Sequence, residues 1–352
     1  MPRAAISREQ WLVFGLFVAS ALAFLYFVLP KLAGLGDTWK RIDQGDPWWL
    51  GLALAFELLS FGGYIVLFRT VFVRGESRID WRESYQITMA GLAATRLFAA
   101  AGAGGVALTA WALRRSGMPA RIVACRMVAF MAVLYAVYMA ALVVGGIGLR
   151  TGIFPGPSPF AVTIVPAIFG AVAIIVFLSV SLLPVDIERR LGELSRGPNW
   201  VRRWARRLAT VPASMGTGVR TALDLARDRR LGLLGAVTWW GFDIAVLWAC
   251  FHAFGEAPPT AVIVMAYFVG MLANTLPIPG GIGGVDGGMI GTFLAFDVSG
   301  GLAVVAVLTY RAFAFWLPTI PGVIAYLQLR RTVHRWRTEP ESAAVPARPG
   351  VV

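Results

Sequence analysis

The candidates for chemistry are six charged side chains in apolar stretches of this 352-residue sequence: Glu57, Arg96, Arg126, Asp243, Asp286 and Arg311. An ionisable group in hydrocarbon is costly unless it is paired or wet, so each of these positions is either functional or internally paired. Arginine offers a planar fork of donors that matches phosphate, which makes Arg311 and Arg126 candidates for holding a lipid headgroup. The competing reading is ion pairing within the protein, Arg311 with Asp286 and Arg126 with Glu57. Asp286 would repel a phosphate but suits a proton or an amine headgroup, and Asp243 fits either role.

A second chemical feature is the stretch 276–288, LPIPGGIGGVDGG, in one of the most apolar parts of the chain. Where Pro277 and Pro279 stop a helix, carbonyl groups are left without partners. Where Gly280, Gly281, Gly283 and Gly284 open the next half-helix, amide N–H groups are left over and the helix dipole is positive. Such a terminus is a cradle for an anion, phosphate above all. The same glycines also serve close helix packing, the use that membrane helices make of small residues.

The elements that must position these groups follow from composition. Hydrophobic residues make up 58% of the chain and charged residues 14%, against about 45–50% and about 25% in soluble domains. Six largely apolar runs, 11–29, 48–73, 122–149, 160–183, 231–254 and 302–329, are each long enough to cross a hydrocarbon core of roughly 30 Å as a helix. The first is too long and too aromatic for a signal peptide and reads as a retained span. The formal net charge of +13 comes almost entirely from arginines between the apolar runs. That is the positive-inside pattern joined to attraction for anionic lipid headgroups, not the footprint of a nucleic-acid binder.

Charge bias also sets orientation. Arg3 and Arg8 favour a cytoplasmic N-terminus, and Arg330, Arg331, Arg335 and Arg337 a cytoplasmic C-terminus, as expected for a cell-membrane protein. The stretch 85–113 has basic flanks on both sides and is broken by AAAGAGG at 99–105, so it is expected to enter and leave on one face as a re-entrant hairpin. The glycine–proline region, flanked by Glu256 and Asp297, is expected to dip from the other face. Aligning AGAGGVALTAW (101–111) with GGIGGVDGGMI (280–290) sets Gly104, Gly105 and Val106 on Gly283, Gly284 and Val285. CRMVAFM (125–131) likewise resembles YRAFAFW (310–316), which places Arg126 opposite Arg311. The expected fold is therefore an all-α polytopic membrane protein with six full spans and two re-entrant hairpins in an inverted repeat, the architecture of many secondary transporters. Residues 1–337 form a single membrane domain with halves 48–149 and 231–329 and an arginine-rich cytoplasmic connector at 184–230. The connector's NWVRRWARRLA (199–209) suits either an interfacial helix or a solvated link, and 338–352 reads as a disordered tail.

The pattern N-x-L-P-x-P-G-G-x-G at 274–283, the acid Asp286, then Y-R-x-x-x-F-W-L-P at 310–318 with Gly322 resembles the flippase-like membrane domain of the lysylphosphatidylglycerol synthase/flippase family. The resemblance runs from about residue 11 to 329. It implies movement of a phospholipid or related lipid between leaflets and adds Asn274 to the candidate substrate-binding residues. Two departures stand out: Asp286 takes a position where the family commonly has Glu, and the first hairpin has Ala107 opposite Asp286 and lacks a proline. Synthase members carry a large soluble aminoacyl-transferring domain after the membrane part, and this chain ends soon after its last span.

Cys125 and Cys250 both lie within apolar runs, and His252 and His334 are too few and too far apart for a metal centre. No Ser/His/Asp set or P-loop is present, so neither a cofactor nor ATP-driven transport is expected. The expected function is lipid translocation rather than catalysis. A membrane-embedded enzyme acting on lipid-linked headgroups, or a structural partner of a lipid-modifying membrane enzyme, are the alternatives. Anionic membrane lipids are the expected partners.

Overall fold

The computed structural model describes residues 44–73, 78–97, 103–181, 216–228, 231–275, 281 and 283–338. The expected span at 11–29, the interfacial stretch at 199–209, most of the connector, Gly280 and the tail lie outside them. Among the described residues the chain is helical, with no strand. The helices are α1 (Pro47–Phe72), α2 (Trp81–Leu97), α3 (Ala103–Arg115), α4 (Ala120–Arg150), α5 (Phe160–Ser181), α6 (Leu234–Phe254), α7 (Thr260–Met271), α8 (Gly284–Ala295), α9 (Gly300–Arg311) and α10 (Thr319–Thr338). A further helical stretch covers 216–227. Five segments are long and apolar enough to cross a membrane: Pro47–Phe72, Ala120–Arg150, Phe160–Ser179, Leu231–Phe254 and Gly300–Trp336. They correspond to the expected spans after the first. The protein is a multi-pass membrane protein.

The described residues fall into two compact units. One comprises residues up to Glu57, Ala141–Ala167 and Asp243–Ala314; the other comprises Leu58–Ala140, Ile168–Phe242 and the residues from Phe315 onward.

In the first unit α1 begins at Pro47, where the missing N–H costs nothing. Asp46 accepts the Trp48 N–H at 2.9 Å and caps the helix. Helices α7 and α8 pack as a pair of short rods, each too brief to span a bilayer alone. Their crossing is fixed by Gly270, where a Cβ would lie 2.8 Å from the Met289 nitrogen, and by Gly288, whose own Cβ would lie 3.1 Å from the Gly270 Cα. Helix α8 closes with paired bonds, Val298 N–H to the Phe293 carbonyl at 3.0 Å and Asp297 N–H to the Leu294 carbonyl at 3.0 Å. Asp297 supplies the positive φ of 63° that this closure needs.

The second unit also contains a pair of short helices. Helices α2 and α3 pack together, and α10 packs along α2. Gly91 and Gly105 set the α2–α3 crossing, since a Cβ on Gly91 would meet the Thr109 hydroxyl at 3.0 Å and one on Gly105 the Gly91 carbonyl oxygen at 2.5 Å. Helix α3 ends as α8 does: Met118 N–H bonds the Leu113 carbonyl at 3.2 Å and Gly117 N–H the Arg114 carbonyl at 3.4 Å, with Gly117 at φ 98°. On α1 and α6, Ser60 donates to the Trp239 carbonyl at 2.8 Å, and a Cβ on Gly63 would lie 2.9 Å from the Gly235 carbonyl oxygen. Small residues here let two long helices approach closely, as packing without a hydrophobic drive requires.

Candidate functional site

The described glycines of this region, Gly281, Gly283 and Gly284, lead into α8, and the N-terminal end of that helix organises the site. Helix α7 runs on as a 3₁₀ turn over Leu272–Thr275 before the chain reaches the prolines. Gly281 and Gly283 take φ values of 64° and 80°, which a side chain would oppose, and α8 starts at Gly284. Asn274 stands beside Gly281, where a Cβ would come within 2.5 Å of the Asn274 Oδ1, and its Nδ2 donates to the Met271 sulfur at 3.0 Å.

Asp286, in the first turn of α8, is fully buried. Its Oδ2 accepts the Gly283 N–H at 2.9 Å, and its Oδ1 pairs with the Arg311 Nε at 2.6 Å. The side chain of Asp286 thus fills the very place where an incoming anion would meet the helix N-terminus and the arginine. The carboxylate is a resident anion satisfying both. The ion pair that stood as one alternative for Arg311 is present.

Arg311 ends α9, and the backbone directly after it winds into a π-turn over Ala312–Trp316. Such turns interrupt the i→i−4 ladder and recur at functional sites. Next to Arg311, Tyr310 donates its hydroxyl to the Asp243 Oδ2 at 3.2 Å, and Tyr267 donates to the same oxygen. The two tyrosine rings meet edge to face, 6.0 Å apart. Asp243 is therefore held as a hydrogen-bonded carboxylate on α6, linked through Tyr310 to the residue that carries the Asp286 contact. Glu57 on α1 belongs to the same unit and is 2% exposed, beside 6% for Asp243, 0% for Asp286 and 5% for Arg311. The interior of this unit is strongly ionic for a membrane protein.

The other two arginines belong to the second unit. The Arg126 Nη1 donates to the Phe72 carbonyl at 2.7 Å, the last residue of α1, and so caps one of the carbonyls that a helix end leaves over. The Arg96 guanidinium lies 6.0 Å from the centre of the Phe61 ring and 5.9 Å from that of Phe315, a distance at which ring quadrupoles attract a cation.

The sequence does not single out Tyr267. A tyrosine inside VIVMAYFVGM carries no mark that separates a buried donor from an interfacial anchor. Removing the Tyr267 hydroxyl (Tyr267→Phe) is expected to destabilise the detergent-solubilised protein by about 1.5–3 kcal/mol, the range for a hydrogen bond to a charged group. Tyr310→Phe, with its longer bond, is expected to cost less. Thermal unfolding followed by size-exclusion chromatography checks the order.

The lysylphosphatidylglycerol synthase TM region family matches residues 12–322. The chain belongs to that family. Among individual proteins it is similar to a UPF0104 membrane protein of Methanothermobacter thermautotrophicus, 22% identical over 326 residues that cover 88% of this chain and 93% of the relative. Over 112 residues, 31% of each chain, it is 32% identical to a UPF0104 membrane protein of that organism. A UPF0104 membrane protein of Methanocaldococcus jannaschii is 33% identical over 95 residues, covering 27% of this chain and 28% of the relative. In these last two matches the chain spans under a third of the relative's own length.

Proposed function

We propose that this protein moves a phosphate-bearing lipid headgroup between bilayer leaflets, and that Asp286 is the internal anion the headgroup displaces. The observation that carries this reading is the shared occupancy of Arg311 and the Gly283 N–H by one buried carboxylate. A phosphate presents the same charge sign and the same acceptor geometry to the same two donors. While Asp286 holds them the site is satisfied and closed. When a headgroup phosphate takes Arg311 and the α8 terminus, Asp286 must release, by protonation or by contact with an amine on the headgroup. Binding is thereby coupled to rearrangement of α8 and of the π-turn after Arg311.

The scaffold in this proposal is six spans, counting 11–29, with α2–α3 and α7–α8 as re-entrant hairpins related by an inverted repeat and both termini on the cytoplasmic side of the cell membrane. Internal geometry supports the repeat. The shift in residue number that carries Gly91 onto Gly270 also carries its partner Thr109 onto Gly288, and it carries Ser60 onto Trp239, the two residues that bond where α1 meets α6. A shift one residue longer carries the α3 closure at Gly117 onto the α8 closure at Asp297. The same shifts set Arg126 across from Val305 or Ala306 and not Arg311. The two halves are thus alike in frame and unlike in charge, and α7–α8 with α9 forms the headgroup half.

The test is equilibrium binding of a short-chain anionic phospholipid, dihexanoylphosphatidylglycerol, to the full chain in detergent. Asp286→Asn weakens the competitor and is expected to tighten binding about tenfold, equivalent to the loss of one charge-assisted contact. Arg311→Ala is expected to abolish it. Binding that is unchanged in both variants would defeat the displacement reading. Arg126→Gln is expected to bind as wild type does, because its contact is to the Phe72 carbonyl.

A further inference from the structure

The carboxylate that the translocation reading leaves unused is Asp243. It is buried on α6, within a segment, Leu231–Phe254, that is long and apolar enough to cross a membrane. Asp243 stands near the middle of that segment, roughly 17 Å from either end at about 1.5 Å per residue. A helix that crosses along it holds this acid near the bilayer midplane, the depth at which transporters place proton relays and coupling-ion sites. Its partners differ in kind from those of Asp286. Asp286 is met by a guanidinium and a backbone N–H, groups that donate and cannot accept. Onto one oxygen of Asp243, Oδ2, the hydroxyls of Tyr267 on α7 and Tyr310 on α9 both donate. A phenol hydroxyl can donate or accept. The two hydroxyls also interact with each other.

We infer that Asp243 binds the proton that drives lipid movement, with Tyr267 and Tyr310 serving both of its protonation states. The coupling rests on the translocation reading; the proton site itself does not. With both hydroxyls donating, Oδ2 is an oxygen of an ionised carboxylate. When a proton adds there, a new O–H bond forms and the Tyr310 hydroxyl, which has the longer contact, turns from donor to acceptor. Its own hydrogen turns to the Tyr267 oxygen, and Tyr267 goes on donating to Asp243. Every hydrogen in this ring of three oxygens keeps an acceptor. The carboxylate becomes a neutral acid, both phenols keep their protons, and the added proton later leaves to water on the opposite face. Arginine or lysine in place of either tyrosine would forbid the exchange, because neither can accept. The surrounding charges carry the change onward. Tyr310 lies in electrostatic reach of Arg311 and of Glu57 on α1, and Glu57 in reach of Cys250 on α6. Arg311 follows Tyr310 directly on α9 and holds Asp286 at 2.6 Å. Neutralising Asp243 and turning the Tyr310 hydroxyl therefore act one residue from the guanidinium that a headgroup phosphate must win from Asp286.

Two measurements test this, one of proton binding and one of coupling. Infrared difference spectra of the full chain in nanodiscs, acid minus neutral, are expected to show a protonated-carboxyl band that is lost in Asp243→Asn. Asparagine keeps an oxygen for the two hydroxyls, and Asp243→Glu, which keeps a titrating carboxyl, is expected to move the band instead of removing it. Asp297→Asn, at an exposed carboxylate, is expected to leave it in place. Bands that are the same in wild type, Asp243→Asn and Asp243→Glu would overturn the proton site. For coupling, labelled phosphatidylglycerol is followed in proteoliposomes with the membrane potential clamped at zero by potassium and valinomycin. Under a pH gradient of about one unit, one proton per lipid permits up to about a tenfold inequality between leaflets. Wild type is expected to approach that inequality, and Asp243→Asn to show none. Wild-type exchange that ignores the pH gradient, or follows a sodium gradient instead, would overturn the coupling and leave translocation standing. No wild-type exchange under any gradient would defeat translocation and coupling together, and the infrared spectra would then decide the proton site by themselves.

Discussion

Arg311→Ala alone is expected to destabilise the protein by about 3–5 kcal/mol, because it leaves the Asp286 carboxylate buried with only the Gly283 N–H to answer it. The double variant Arg311→Met with Asp286→Leu is expected to be as stable as wild type or more so. Removing both charges also removes the desolvation cost of burying them, and apolar side chains of similar volume fill the space. The contrast is the point of the experiment. If the single variant is harmless, the ion pair is not the buried contact described above. If the double variant is as damaged as the single one, the site is held by something other than charge pairing. Thermal unfolding of the purified proteins in one detergent reads both.

The second large effect lies in the helix crossings. At Gly270 a β-carbon would stand 2.8 Å from the Met289 backbone nitrogen, and at Gly105 it would stand 2.5 Å from the Gly91 carbonyl oxygen. Backbone cannot swing aside as a side chain can, so the helices themselves must part. Gly270→Val and Gly105→Val are each expected to cost at least the roughly 1–3 kcal/mol of an overpacked core, and to sharply reduce the yield of monodisperse protein. Gly62 is the internal control: it is also helical, but nothing lies within 4 Å of its would-be Cβ. Gly62→Ala is expected to stabilise by about 0.5–1 kcal/mol through helix propensity alone. Fluorescence-detected size-exclusion chromatography after a temperature ramp compares the three on one scale.

These glycines show how far the sequence reaches. Apolar run length is enough to place α1, α4, α5, α6 and the α9–α10 span, because a bilayer demands a nearly fixed number of apolar residues. Breaks at 99–105 and 276–283 announce helix ends, since glycine and proline cannot continue a helix at low cost. The charged candidates are legible for a similar reason: Asp286 and Arg311 are conspicuous in apolar surroundings, and the structure brings them together. What the sequence does not disclose is occupancy. Nothing in GGVDGG says that the aspartate turns back onto the Gly283 N–H instead of leaving the amides open, because that choice depends on Arg311, brought in from α9. Nor does composition reveal the π-turn after Arg311 or the role of Tyr267, since both arise from packing between elements and not from local propensity. The local match of CRMVAFM to YRAFAFW is a different case. It pairs two arginines by sequence likeness, at a different shift in residue number from the one that aligns 101–111 with 280–290.

The most direct test of the central claim is leaflet exchange of a labelled anionic phospholipid in proteoliposomes containing the Arg311→Met, Asp286→Leu double variant, with wild type and empty vesicles alongside. This protein is expected to fold, so its behaviour reports on function and not on damage. The account predicts exchange in wild type and none above empty vesicles in the double variant. Exchange at the wild-type rate in the double variant would contradict it and leave the Asp286–Arg311 pair with a purely structural role.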